Sequence, residues 1–229
     1  MYVPGHFMLS EEHIRKILAR PRRGNLVTVH EFGPEASMVP FYLDEERGTL
    51  VTHLVRNNPQ VREPITGPGL VILDDADAYV SPRWYATNSV KANVPTWDYV
   101  TVHVRGKVQV DPSPQTALRV ARHLTELYEP KEVLESVGEG ALRRMSRAIV
   151  AVEVHLDEVR GKAKMSQNHH PEDLKSLAEA WEQQGENAMA EFVRTVSLPY
   201  AEARFRKLAE LGLTERGRAV AAARARQHP

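Results

Sequence analysis

The 229-residue chain contains no cysteine. That excludes disulfides, thiolate-ligated zinc, iron–sulfur clusters and a thiol nucleophile. It carries no charge of one sign in excess, with 30 Lys+Arg against 30 Asp+Glu. A neutral total argues against a chain that wraps nucleic acid over a broad basic surface. No apolar run approaches the ~18 residues of a membrane-spanning helix. The opening MYVPGHFMLSEEH lacks the basic then apolar order of a secretory leader, so neither membrane nor export is expected, and a cytoplasmic location is. The familiar catalytic signatures are missing too: no G-x-S-x-G, no H-E-x-x-H, no G-x-G-x-x-G and no phosphate-cradling glycine loop. What remains is 42% apolar and 26% charged, the composition of an ordinary folded domain. The length allows one large domain, or one domain with an appendage.

Hydrophobic periodicity organises the chain into three stretches. Ser10 followed by Glu11 and Glu12 predicts a capped helix with Ile14, Ile17 and Leu18 on one face, ending before Pro21. Arg20, Arg22 and Arg23 then read either as a solvated helix end or as a phosphate contact. Over residues 25–110 the period becomes two. Strands are predicted at 26–30, 37–43, 49–55, 70–73, 78–80 and 97–110, separated by short turns, which favours an antiparallel barrel. After Pro112 and Pro114 the period becomes helical: Ala117, Val120, Ala121, Leu124 and Leu127 recur at three and four residues. A second helix is expected over 139–147, a closing strand over 149–156, and helices over 172–184, 186–196 and 200–227. The expected organisation is a domain over 1–170 and a helical region over 171–229. Residues 200–229 carry a basic excess of four, which suits a solvated helix or a contact with DNA or a partner.

Three segments are richer in polar and aromatic side chains than a sheet requires. Thr52-His53-Leu54-Val55-Arg56-Asn57-Asn58-Pro59 brings an imidazole, a guanidinium and amides to a strand end, and a planar guanidinium suits phosphate. Ala78-Tyr79-Val80-Ser81-Pro82-Arg83-Trp84-Tyr85, with Val94-Pro95-Thr96-Trp97-Asp98-Tyr99, concentrates flat rings with polar tips, as a planar ligand or a core corner would need. Gly161 to His170 places Lys162, Lys164, Ser166, Gln167 and Asn168 after the closing strand, a cation among hydrogen-bonding groups. His169 and His170 are adjacent and lack ligand spacing, so no metal is expected.

Together with the opening Met1-Tyr2-Val3-Pro4-Gly5-His6-Phe7, these segments resemble the PaiB family of FMN-binding negative transcriptional regulators, in order and roughly in spacing, over about residues 1–196. The resemblance implies a mainly β fold with helices (α+β): an antiparallel FMN-binding split β-barrel with flanking helices and a C-terminal helical extension. It implies FMN as cofactor, a homodimer, and His53, Arg56, Asn57, Ser81, Trp84, Tyr85, Thr96, Trp97, Lys164, Ser166, Gln167 and Asn168 as cofactor-binding residues. In function it implies a transcriptional regulator or flavin sensor, with an FMN-dependent oxidoreductase or a flavin-free dimeric scaffold as alternatives. No catalytic residue is assigned.

Two departures bear on the cofactor. Where the family carries Gly-Pro-His before the Ala-Tyr pair, this chain has Asp75-Ala76-Asp77, read as an acidic turn that would repel an anionic cofactor. Where the family carries Arg after the Ser-Gln-Asn run, this chain has His169, which loses a fixed charge near neutral pH.

Overall fold

The computed structural model describes residues 1–90 and 92–213. Its helices are α1 (Glu11–Leu18), α2 (Pro59–Arg62), α3 (Pro114–Glu126), α4 (Lys131–Val137), α5 (Glu139–Met145), α6 (Pro171–Gln183), α7 (Asn187–Phe192) and α8 (Leu198–Glu210). Its strands are β1 (Arg22–His30), β2 (Gly33–Asp44), β3 (Thr49–Val55), β4 (Gly69–Val80), β5 (Thr96–Gly106), β6 (Val108–Asp111), β7 (Ile149–His155) and β8 (Glu158–Lys164). All eight strands join one sheet in the order β6-β7-β3-β2-β1-β4-β5-β8.

Local chemistry sets the ends of several elements. Ser10 caps α1 by accepting a hydrogen bond from the His13 N–H. The β1–β2 hairpin pairs His30 with Gly33, and Gly33 takes φ +117°, a conformation that L side chains rarely adopt. At the β5–β6 break, a Cβ on Gly106 would sit 1.8 Å from the His155 carbonyl oxygen, so only glycine lets the strands approach there. Beyond α7 the helix widens into one π turn over Val193–Ser197 before α8 begins, with Pro199 in the first turn of α8. A proline at that point supplies no N–H to the turn behind it, a recognised cause of such irregularity.

By compactness the chain forms two units that alternate along the sequence. The first comprises residues 1–2, 9–75 and 101–161. Its sheet carries α3 on one face, where Val120 and Leu124 meet Val51 and Ala151, with Tyr42 packed at the edge. Leu26, Phe41, Leu50, Val71 and Leu73 are also fully buried, each worth roughly 1.5–3 kcal/mol of apolar transfer. Covered on both faces, β3 is buried almost end to end, which explains its near-continuous apolar run.

The second unit comprises residues 3–8, 76–100 and 162 onward. Its core is built on α6, which buries Leu174, Leu177, Ala178 and Trp181. Met189, Ala190, Val193 and Ala201 extend it along α7, the π turn and α8. Trp181 has no solvent exposure, and its Nε1–H reaches the Tyr79 carbonyl at 3.4 Å.

Several expectations change. The strand of residues 26–30 begins earlier, at Arg22, because Arg22 and Arg23 pair with Phe41 and Pro40 of β2. They are therefore strand residues and not a helix end. Residues 70–73 and 78–80 belong to one strand, β4, and the acidic Asp75-Ala76-Asp77 lies inside it with no turn. The 97–110 run divides at Lys107, whose N–H is taken by the Asp157 carboxylate. β8 and α4 were not anticipated. The expected helix over 200–227 is seen as Leu198–Glu210, and Arg216, Arg218, Arg224 and Arg226 lie outside the described residues.

Candidate functional site

The twelve candidate residues fall into two groups. His53, Arg56 and Asn57 belong to the first unit, and Ser81, Trp84, Tyr85, Thr96, Trp97, Lys164, Ser166, Gln167 and Asn168 to the second.

In the first unit, β3 runs out at Val55 and Arg56 turns its guanidinium onto the main chain. Nε donates to the Arg147 carbonyl at 2.9 Å, and Nη2 to the Pro112 and Ile149 carbonyls at 2.8 and 3.1 Å. Nη1 is left for another acceptor. Asn57 is exposed. Asn58 caps α2 by accepting from the Gln60 N–H, and donates to Ser37 at 3.0 Å. Beneath it the fully buried Gln60 donates through Nε2 to the Leu26 and Glu35 carbonyls and the Thr28 hydroxyl, clamping β1 to β2. Half of the polar motif therefore serves the backbone. His53 lines a cavity, and burial pushes its imidazole below the ordinary histidine range.

In the second unit, a buried polar chain crosses the floor. Ser166 takes φ +59°, the only non-glycine residue at positive φ among those described, and donates to the Asp98 carboxylate at 2.6 Å. With that hydrogen committed, the Tyr85 phenol donates to Ser166 Oγ at 3.0 Å. Gln167 closes the bend on itself: its Oε1 accepts from the Met165 N–H and its Nε2 donates to the Ala163 carbonyl. Lys164 directs its ammonium to Thr96 Oγ1 at 2.5 Å, the Trp97 carbonyl at 2.6 Å and Asp98 at 3.4 Å. Asp98 is 1% exposed. Its burial pushes the carboxyl up to about 6, against the opposing pull of Ser166 and Lys164. Burial likewise pushes Tyr85 up to about 12.

Above this floor stands an accessible aromatic group. Tyr79 meets Trp84 and Trp97 edge to face, at centroid separations of 6.3 and 6.2 Å. Trp97 is 52% exposed, and its indole N–H is held by Asp77 at 2.8 Å. Asp75 forms an ion pair with Arg22 at 2.8 Å. The acidic pair read as a repulsive turn is thus a strand segment whose carboxylates are each engaged, one by a guanidinium and one by an indole. Ser81 uses its hydroxyl to cap the short helix before Tyr85. Asn168 is exposed, and its carbonyl accepts from Arg204 at 3.3 Å. His169 stacks on Tyr85 at 4.2 Å and lies 3.7 Å from Asp173, which also holds Thr87.

Asp98, Tyr79, Asp77 and Asp173 escaped the sequence reading as site residues. Asp98 had a detectable signal: it sits on the inward face of an alternating strand, where a carboxylate needs partners. Tyr79 lay in the aromatic segment and Asp77 in the acidic one, but their partners and that of Asp173 are long-range and left no local signal.

An antiparallel eight-stranded sheet with flanking helices defines a protein of the split-barrel class. Solved structures that share the fold include the following two. One is the flavocytochrome Anf3 from Azotobacter vinelandii, with TM-score 0.54, 12% identity and 67% of each chain covered. The other is an FAD and heme binding protein from Mycobacterium smegmatis, with TM-score 0.50, 19% identity and 68% and 71% covered. Within that class the chain belongs to the family described as "Putative FMN-binding domain", which matches residues 1–158. It is 26% identical over 186 residues to the protease synthase and sporulation protein PAI 2 of Bacillus subtilis, covering 78% of this chain and 88% of that one. An uncharacterized protein of Saccharomyces cerevisiae is 30% identical over 134 residues, covering 48% and 79%.

The residues present fit a flavin in kind. The accessible rings of Trp84 and Trp97 suit a flat heterocycle, and the hydroxyls of Ser81 and Thr96 suit a polyol chain. The Lys164 to Gln167 run is committed to internal partners, so it holds the platform from beneath.

Proposed function

We propose that this chain binds FMN and acts as a flavin-dependent regulator, a PaiB-like redox or flavin sensor working as a homodimer in the cytoplasm. The observation that carries the reading is Trp97, half exposed yet fixed at its N–H by Asp77 and backed at its carbonyl by Lys164. An exposed indole pinned from two sides is a preorganised wall for a planar ligand. When bound, the isoalloxazine ring supplies the redox chemistry. Trp84, Trp97 and Tyr79 would wall the ring, with Ser81, Thr96 and Asn168 as polar contacts. In the first unit, Arg56 keeps Nη1 for an anionic group, with Asn57 beside it. Regulation is proposed to reach DNA through the basic residues of 200–229, as a salt-sensitive contact.

The test is the visible absorption spectrum of the purified chain after adding excess FMN and desalting. Retention of close to one flavin per chain, lost in Trp97→Ala and weakened in Trp97→Phe, which keeps a ring but loses the Asp77 contact, supports the reading. A colourless, folded protein overturns it. An oxidoreductase reading has one observation in its favour: Asp98, held near 6, is a carboxyl poised to exchange a proton near neutral pH. Steady turnover of a nicotinamide donor, abolished in Asp98→Asn, would establish that reading instead.

A further inference from the structure

Interiors pack tightly, and voids larger than a water are few. In the first unit, however, a pocket of about 320 Å³, partly open to solvent, lies against α3, α4 and α5. That is roughly twice the ~150 Å³ that accommodates benzene in an apolar cavity. Its walls are Leu118 and Ala121 of α3, Leu134 and Val137 of α4, and Leu142 and Met145 of α5, with Ile149 and His53 from the sheet.

α4 and α5 are seven residues each and bury no residue fully. Helices this short are marginal unless an apolar face is packed. Here Leu134 and Val137 of α4 and Leu142 and Met145 of α5 line the pocket, so part of the apolar face that should hold these helices in place is turned to solvent and not to packed side chains.

The polar groups of the wall define what would fill it. Thr125 donates its hydroxyl hydrogen to the Ala121 carbonyl at 2.8 Å, and Ser146 donates to the Arg143 carbonyl at 3.0 Å. Both oxygens are left as acceptors. Arg122 is already paired with Glu139 at 2.7 Å. Burial pushes the His53 imidazole below the ordinary histidine range, which disfavours its charged form, and its Nδ1 is sealed without a partner. The lining therefore offers no unmatched charge, and two hydroxyls that seek a donor.

We propose that this cavity is a binding site for a neutral, largely apolar small molecule of one or two rings carrying a single hydrogen-bond donor, of the phenol or indole class. None of its lining residues is among the proposed flavin residues of the second unit. Filling it would bury the inner faces of α4 and α5 and fix both helices on α3.

The test titrates the full chain by calorimetry with 2-naphthol and with 2-methoxynaphthalene, which has the same rings and no donor. Saturable binding of one 2-naphthol per chain is expected, with the methoxy probe about ten-fold weaker, a factor typical of one lost hydrogen bond. Val137→Trp and Met145→Trp plug the cavity from two sides. Both positions are more than a third exposed, so the fold should tolerate them, with unchanged circular dichroism as the control. Each should weaken 2-naphthol at least ten-fold. No saturable binding, equal affinity for the two probes, or binding that survives both plugs overturns the proposal. Flavin retention, read by absorbance in the same samples, is a separate result.

Discussion

Arg56 and Lys164 are each the cation of a polar motif, and each turns inward, but they meet partners of different kinds. Arg56 lies on three neutral carbonyls that no other side chain among the described residues serves. Lys164 meets a hydroxyl, a carbonyl and a carboxylate that has almost no contact with water. The first acts as a strut with its charge still available. The second is half of an ion pair whose other half would be stranded without it. Motif identity therefore does not determine role. The depth of the partner does.

The comparison breaks most sharply at Lys164. Lys164→Met leaves Asp98 buried and unpaired, a loss that reaches several kcal/mol for deep pairs. Because Lys164 is 28% exposed, about 2–3 kcal/mol is expected in urea unfolding. A loss below about 1 kcal/mol would show that the pair contributes little. Arg56→Met removes three charge-assisted bonds to carbonyls near the surface, and about 2 kcal/mol is expected. Arg56→Lys should recover less than half, since an ammonium cannot reproduce the planar fork. If the lysine variant matches wild type, the strut description fails.

A pH titration sharpens the contrast further. Asp98 titrates near 6 in the fold and near 4 in the unfolded chain. Between those values the fold holds a proton that the unfolded chain has released. The stability contributed by protonated Asp98 is complete below about pH 4 and is lost as pH rises through about 6. Asp98→Asn should flatten that slope, and an unchanged slope would assign it elsewhere. The smallest effect is expected at Trp97→Phe. It drops one exposed hydrogen bond to Asp77 and should change stability by no more than about 0.5 kcal/mol. Asp77→Asn keeps an acceptor for the indole and should behave alike; a large loss in either would give this pair a structural role.

Much of the sheet was legible because β2, β3, β5 and β7 announce themselves by alternation or by continuous apolar runs between turns. β8 was not, since Glu158, Arg160, Lys162 and Lys164 alternate with small residues and resemble a loop. It ends the sheet order, where charged side chains are the normal protection for an edge strand, here met only by a short bridge from Met8 to Lys162. β4 was cut in two because Asp74, Asp75 and Asp77 look like a turn, whereas Arg22 and Trp97 supply partners for the latter two from distant positions. The aromatic platform was legible as composition. Its pinning was not, because nothing local to Trp97 reveals Asp77, and nothing local to Lys164 reveals that its ammonium faces a buried acid.

The alternation of the two units has a consequence for synthesis on the ribosome. The chain passes from one unit to the other five times, and the second unit receives its last segment only from residue 162 onward. Residues 76–100 must therefore wait, with Tyr79, Trp84 and Trp97 already made, until α6 and Trp181 emerge. A nascent chain halted at residue 158, where the family match ends, would hold that segment without α6, α7 and α8, the helices that build the core of its unit. Such an intermediate is a natural client for a chaperone, and the order of translation makes the final third of the chain the step that commits it to fold.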